Sequence, residues 1–197
     1  MKRFVDVVVA TLVLVAGAPL IAAVAIGIRV VDGSPVLFRQ WRSGMGGAPF
    51  RMAKFRTMRA ARPGEAGPEA DGTRTTRLGR WLRATSLDEL PTLVHVVRGE
   101  MSLVGPRPLP VEYLDRYDDD QARRLEVRPG ITGWAQVNGR NTTGWDERLA
   151  HDQWYVDHRS LRLDLRILVL TARQVLRREG VDHAPGVTMT EFRGPGS

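Results

Sequence analysis

Residues 7–28 run for 22 positions without a formal charge, and no other feature restricts the fold of this chain as strongly. As one helix the run would be roughly 33 Å long, enough to cross a bilayer core of about 30 Å. It is apolar all round, unlike the one-sided stripe of a helix on a soluble core, so burial in a membrane is expected. A secretory leader would share the basic start at Lys2 and Arg3 and the small residues Ala16, Gly17 and Ala18. Pro19 and the apolar continuation to Ile28 disfavour cleavage there. Pro19 also divides the run into pieces of 12 and 10 residues, each reaching about half a bilayer. Membrane helices tolerate proline, which allows a kinked span. Lys2 and Arg3 on one flank and Arg29, Arg39 and Arg42 on the other all draw toward the cytoplasm, which favours a helix that enters and leaves by one face. The residues alone leave both arrangements open.

The chain has 197 residues and no cysteine. That length allows one ordinary domain, and the missing thiols exclude a disulfide scaffold, Cys-ligated zinc, an iron–sulfur cluster and a thiol nucleophile. Lys and Arg total 29 against 22 Asp and Glu, a formal charge of +7, with lysine only at Lys2 and Lys54. Such an excess suits nucleic acid, an anionic membrane surface or a phosphorylated substrate. Interleaved acids and the absence of a helix-turn-helix or RNP pattern argue against nucleic acid.

Beyond Arg29, segments 35–39 and 49–54 flank Gly44-Met45-Gly46-Gly47 and predict a small β-hairpin. The glycines do not fit a dinucleotide fingerprint, and no Walker motif occurs. Residues 60–76, rich in Pro, Gly, Ala and Arg, read as an exposed loop. Residues 78–84 form a short amphipathic helix with a basic face. Ser86-Leu87-Asp88-Glu89 has the form of a capping box and opens an apolar helix that ends at Gly99. A short strand at 101–104 precedes the irregular Gly105-Pro106-Arg107-Pro108-Leu109-Pro110. Helix is expected over 110–125, restarting at Asp118, then a turn at Arg128-Pro129-Gly130, extended chain over 131–137 and a turn at Asn138-Gly139. Helices follow at 146–156 and 161–178. The second sets arginines beside a wide apolar face, as an interfacial or a core helix would. The fold class is α+β, mostly helical: a membrane helix over 1–30, a main domain over 31–180 and a tail over 181–197.

Asp88 and Glu89 are the strongest chemical candidates. Acids in a first helical turn offset the helix dipole, so a cap explains them. The same pair can attack phosphorus or hold Mg²⁺ against substrate phosphates. Lys54 and Arg56 share one face of an alternating strand and supply the two ways proteins grip phosphate, though a solvated strand face looks the same. Arg107 sits on a proline-stiffened loop suited to an anion. Arg128, Gln136, Asn138, Arg140 and Asn141 form a polar group that could meet a nucleotide or merely coat a hairpin. Asp118-Asp119-Asp120 reads as a solvated helix start and His95 as a satisfied core histidine. His151 and His158 do not have metalloprotease spacing.

Five features occur in fixed order: the apolar N-terminal segment with its proline, Lys54-Phe55-Arg56-Thr57-Met58, Thr85-Ser86-Leu87-Asp88-Glu89-Leu90-Pro91, Ser102-Leu103-Val104-Gly105-Pro106-Arg107-Pro108, and Arg128-Pro129-Gly130-Ile131-Thr132-Gly133. In these the chain resembles the bacterial sugar transferases, the monotopic polyprenyl-phosphate phosphoglycosyl transferases, in a short form limited to the catalytic unit. The resemblance runs from about Lys2 to Gly180. It implies transfer of a sugar phosphate from a UDP-sugar to polyprenyl phosphate, releasing UMP, with Mg²⁺ and a covalent intermediate, as a first membrane step of glycoconjugate or exopolysaccharide assembly. It implies Asp88 as nucleophile, Glu89 as its partner in metal binding or acceptor activation, and Lys54, Arg56 and Arg107 as a phosphate cradle, with Gln136, Asn138 and Arg140 as lesser candidates. It also implies a re-entrant helix broken at Pro19, membrane lipid as a partner, and a site at the cytoplasmic face of the bacterial inner membrane; self-association is left open. The family often has Ser-Pro at the break, where this chain has Ala18-Pro19 and no hydroxyl to bond the helix backbone. Residues 188–192 faintly resemble forms that take N-acetylated amino-sugar donors. The competing class is a membrane-anchored, arginine-rich binding or scaffold protein without turnover.

Overall fold

The computed structural model describes residues 1–62, 65, 70–138, 144–177 and 191–196. Its first element is one helix, α1 (Lys2–Val31), which runs through Pro19 without ending. The expected break into two helices is therefore not seen. Proline removes one backbone hydrogen bond, which an otherwise uninterrupted apolar helix can lose.

Both ends of α1 are fastened to the same body. Near the start, Lys2 bonds Asp164, the Arg3 guanidinium donates to the Val96 and Val97 carbonyls, and Asp6 accepts from the Ser102 hydroxyl at 2.8 Å. Near the end, Val24 and Ile28 pack with Phe55 and Leu82. Between these anchorages the helix presents apolar side chains outward, among them Leu12, Val15 and Leu20, so that most of α1 lies uncovered.

The predicted hairpin forms from β1 (Leu37–Ser43) and β2 (Pro49–Phe55), antiparallel, with Leu37 opposite Phe55 and Ser43 opposite Pro49. Two short helices, α2 (Asp71–Arg74) and α3 (Arg77–Ala84), follow. α3 starts on Thr76, whose hydroxyl accepts from the Gly79 amide at 2.8 Å. Gly79 has a packing reason: a Cβ there would lie 2.0 Å from the Thr57 carbonyl oxygen.

A 3₁₀ turn (Leu87–Thr92) leads into α4 (Leu93–Arg98). β3 (Ser102–Val104) and β4 (Gly130–Thr132) then pair in parallel. Between them lie a 3₁₀ turn (Val111–Arg116), α5 (Asp119–Ala122) and a second 3₁₀ turn (Arg123–Glu126) in place of the long helix expected over 110–125. Asp118 caps α5 in a reciprocal box with Gln121, as its sequence position suggested. The extended run expected over 131–137 stops after Thr132, and α6 (Trp134–Asn138) takes its place because the Gly133 carbonyl accepts from the amides of Gln136 and Val137. The last elements are α7 (Trp145–His158) and α8 (Leu161–Arg177).

The main core joins Ala10 of α1, Phe50 and Met52 of β2, Leu93 and Val96 of α4, Leu103 and Val104 of β3, Tyr155 of α7 and Ile167 of α8. A separate cluster seats Phe192, fully buried, against Trp145 and Leu149 of α7 with Tyr113 and Tyr117 beside it. Part of the C-terminal tail therefore docks on the body, while residues 178–190 lie outside the described residues.

Candidate active site

The turn that carries Asp88 and Glu89 is not the capping box its sequence suggests. Ser86 makes no side-chain cap bond and adopts φ 55°, the left-handed region that a serine occupies only at some cost. Glu89 instead reaches Arg107, 18 positions on, and accepts its guanidinium at 2.8 Å. The unusual turn places both carboxylates beside cations from other elements.

Asp88 is buried, with Lys54 of β2, Arg83 of α3 and Arg107 as its charged neighbours. Burial, reinforced by the charge of Glu89, pushes its carboxyl up to about 6 against the pull of those three cations. Glu89 goes the other way: burial opposes its ionisation, but Arg107 and Lys54 outweigh that and hold it below the usual range. Burial lowers Lys54, offset in part by Asp88 and Glu89. Arg107 is raised by Glu89. Two adjacent acids are thus driven apart, one firmly ionised and one poised closer to neutrality.

The spacing of this cluster is set by a clamp. Thr92 donates its hydroxyl to the Ala53 carbonyl at 3.1 Å, and His95 Nε2 accepts the Ala53 amide at 3.0 Å. Nδ1 of the same imidazole lies 2.6 Å from Glu100. Both backbone groups of the residue before Lys54 are therefore held from the segment that bears Asp88. Arg83 is fixed by its Nε donating to Thr57 at 3.0 Å. The loop carrying Arg107 is fixed at a close backbone crossing, where a Cβ on Gly105 would lie 2.4 Å from the Arg128 carbonyl oxygen. Buried Arg124, paired with Asp152 at 2.8 Å, also donates to the Arg107 carbonyl at 2.7 Å.

Asp88, Glu89, Lys54 and Arg107 come together as expected. Arg56 does not join them: its guanidinium donates to the carbonyls of Asp32, Gly33 and Ser34, tying β2 to the end of α1. Gln136 donates to the Ile131 carbonyl at 3.0 Å and leaves its Oε1 buried with no partner among the described residues, while Asn138 bonds back to Trp134. Arg128 turns to the Gly99 carbonyl. Arg140 and Asn141 lie outside the described residues. Arg83, Thr92 and the positioning use of His95 were not legible as site features. Arg83 reads as one of several arginines on a helix face, and only its place five residues before Asp88 hinted otherwise.

Mg²⁺ is commonly held by one or two carboxylates together with substrate phosphate oxygens. Asp88 and Glu89 offer that donor set, and among the described residues no larger acid or histidine cluster competes with it. A buried Asp88 beside a half-buried Glu89, ringed by cations on a body fastened to an exposed apolar helix, is the equipment of an enzyme that handles phosphorylated substrates.

The chain belongs to the bacterial sugar transferase family, whose pattern matches residues 1–178. It is 46% identical over 196 residues to the uncharacterized sugar transferase EpsL of Bacillus subtilis (strain 168), covering 100% of this chain and 97% of that one. It is 45% identical over 185 residues to a UDP-glucose:undecaprenyl-phosphate glucose-1-phosphate transferase of Caulobacter vibrioides, covering 89% of this chain and 69% of the relative. Identity to the undecaprenyl-phosphate galactose phosphotransferase of Salmonella typhimurium is 40% over 198 residues, 91% of this chain but 41% of that longer protein.

Proposed function

We propose that this protein moves a sugar 1-phosphate from a UDP-sugar to a polyprenyl phosphate in two steps on Asp88. Relatives named for sugar-phosphate transfer to undecaprenyl phosphate support the overall reaction. The observation that carries the assignment to Asp88 is its burial at a turn where Lys54, Arg83 and Arg107 converge.

In the first step the ionised Asp88 carboxylate attacks the β-phosphorus, the bond from that phosphorus to the α–β bridging oxygen breaks, and UMP leaves. In the second a phosphate oxygen of the acceptor attacks the same phosphorus and displaces Asp88, giving the polyprenyl-diphosphate sugar. Lys54, Arg83 and Arg107 offset the charge gathered on the phosphoryl oxygens, in a site where fixed cations act strongly because water is partly excluded. Glu89, oriented by Arg107, stays ionised beside Asp88. Mg²⁺, held by Asp88 and Glu89, would screen the carboxylates from the incoming diphosphate.

The apolar α1, with both ends held against one body, supports a re-entrant helix, and the basic residues on both of its flanks favour a site at the cytoplasmic face of the bacterial inner membrane. The test is UMP release by protein in detergent or nanodiscs. Release should require UDP-sugar, stop with a chelator and fall at least about a thousandfold in Asp88→Asn. Full turnover in that variant would remove Asp88 from the reaction.

A further inference from the structure

The two ends of the hairpin differ in character. At one, Leu37 and Phe55 pack with Val24 and Ile28 of α1, whose neighbours Ile26, Val30 and Val31 are exposed. At the other, Arg42 donates to the Pro108 carbonyl and the Ser43 amide to that of Leu109, on the loop of Arg107. Arg42 therefore adjoins the loop of Arg107, and burial, with Arg107 nearby, lowers its pKa to about 10. The hairpin thus has a hydrophobically packed end, where Arg56 is tied to backbone carbonyls, and an end where Arg42 adjoins the loop of Arg107.

Strand register decides which side chains follow it. Phe38 lies opposite Lys54, Gln40 opposite Met52 and Arg42 opposite Phe50. Directly paired residues project to the same side of a sheet with Cβ atoms about 5 Å apart. Met52 of this face lines a pocket with Glu89, Thr92 and Arg107, so it is the face turned to the site. Phe50 and Met52 are buried there, whereas Phe38 is 45% exposed. An uncovered aromatic ring thus stands beside the lysine of the candidate phosphate site, at the end of the hairpin nearest α1.

We infer that Phe38 is the contact for the first isoprene units of the acceptor, whose phosphate lies at Lys54. This rests on the reaction proposed above. A ligand made of an apolar chain joined directly to a phosphate needs an apolar surface and a cation side by side, and the Phe38–Lys54 pair is such a surface. The nucleotide then occupies the opposite, cationic end near Arg42 and Arg107. A uracil ring could also stack on Phe38, but that would set the nucleotide at the apolar end and leave the lipid chain among arginines.

The two half-reactions separate these uses. Wild type, Phe38→Ala and Phe38→Leu in nanodiscs are compared for phosphosugar adduct formed from UDP-sugar without acceptor, and for KM toward undecaprenyl phosphate and toward UDP-sugar. Phe38→Ala should raise acceptor KM about tenfold, the scale expected for losing an aromatic contact area. It should leave adduct formation and UDP-sugar KM within twofold, and Phe38→Leu should restore most of the loss. An unchanged acceptor KM, a raised UDP-sugar KM or equal loss in both half-reactions would each overturn the inference. If the wild type forms no adduct, the two-step reading fails, and acceptor KM in the overall reaction still decides the role of Phe38.

Discussion

Asp88 is where site chemistry and fold stability conflict. Its folded pKa of about 6 exceeds the ordinary 3.8, so between those values the folded chain binds the extra proton. Ionised Asp88 therefore opposes folding above pH 6, and that penalty fades as pH falls through 6 toward 3.8. In metal-free protein Asp88→Asn should gain on the order of 1–3 kcal/mol at pH 7.5 and little at pH 4, read from urea denaturation, even as it loses turnover. In the proposed mechanism turnover uses the Mg²⁺-bound site, where the dication pulls the Asp88 carboxyl below its metal-free value. UMP release by the wild type should therefore fall on an acid limb that begins below 6 and moves to higher pH as Mg²⁺ is lowered; an acid limb that does not respond to Mg²⁺ would count against the attacking carboxylate lying at the metal. Asp88, Glu89, Lys54 and Arg107 were legible because they stand in ordered motifs. The pairing of Glu89 with Arg107 was hidden, because a carboxylate three positions after a serine looks like a cap until the distant guanidinium is placed.

Among the elements, α3 has the most exacting seat. Gly79 lets it approach the Thr57 carbonyl, and the same helix delivers Arg83 to the Thr57 hydroxyl. Gly79→Ala should cost about 2 kcal/mol or more through overpacking and reduce UMP release by shifting Arg83; full stability in a thermal melt would show that the helix can move freely. The hairpin, α3, α7 and α8 were readable because their patterns are local. Residues 131–137 were not: Ile131, Thr132 and Val137 favour extended chain, but pairing with the three residues of β3 ends at Thr132, and the Gly133 carbonyl then starts α6. Likewise 110–125 has the composition of a helix but forms two 3₁₀ turns about the short α5, and Arg124 near its end pairs with Asp152 of α7, a distant contact that no local pattern announces.

For the whole molecule, the question is how α1 meets the bilayer. Lys2, Arg3 and Asp6 bind the body that Val24 and Ile28 also touch, so a spanning helix would have to give up one set of contacts. The chain has no cysteine, so single probes are unambiguous. Cysteines inserted after Met1 and substituted at exposed Arg29 should both react from the cytoplasmic side of inverted vesicles; reaction from opposite sides would contradict a re-entrant helix. The length and apolarity of α1 were plain in the sequence. The contacts of both its ends with the body were not, since they depend on partners such as Asp164 more than 150 positions away.

The most direct measurement is mass spectrometry of the rapidly quenched protein after mixing with UDP-sugar and Mg²⁺ and no lipid acceptor. A mass gain of one phosphosugar, mapped to the peptide containing Asp88, released by polyprenyl phosphate and missing in Asp88→Asn, is the predicted result. Turnover to lipid-linked product with no adduct at any quench time, or an adduct on another residue, would contradict the two-step mechanism on Asp88.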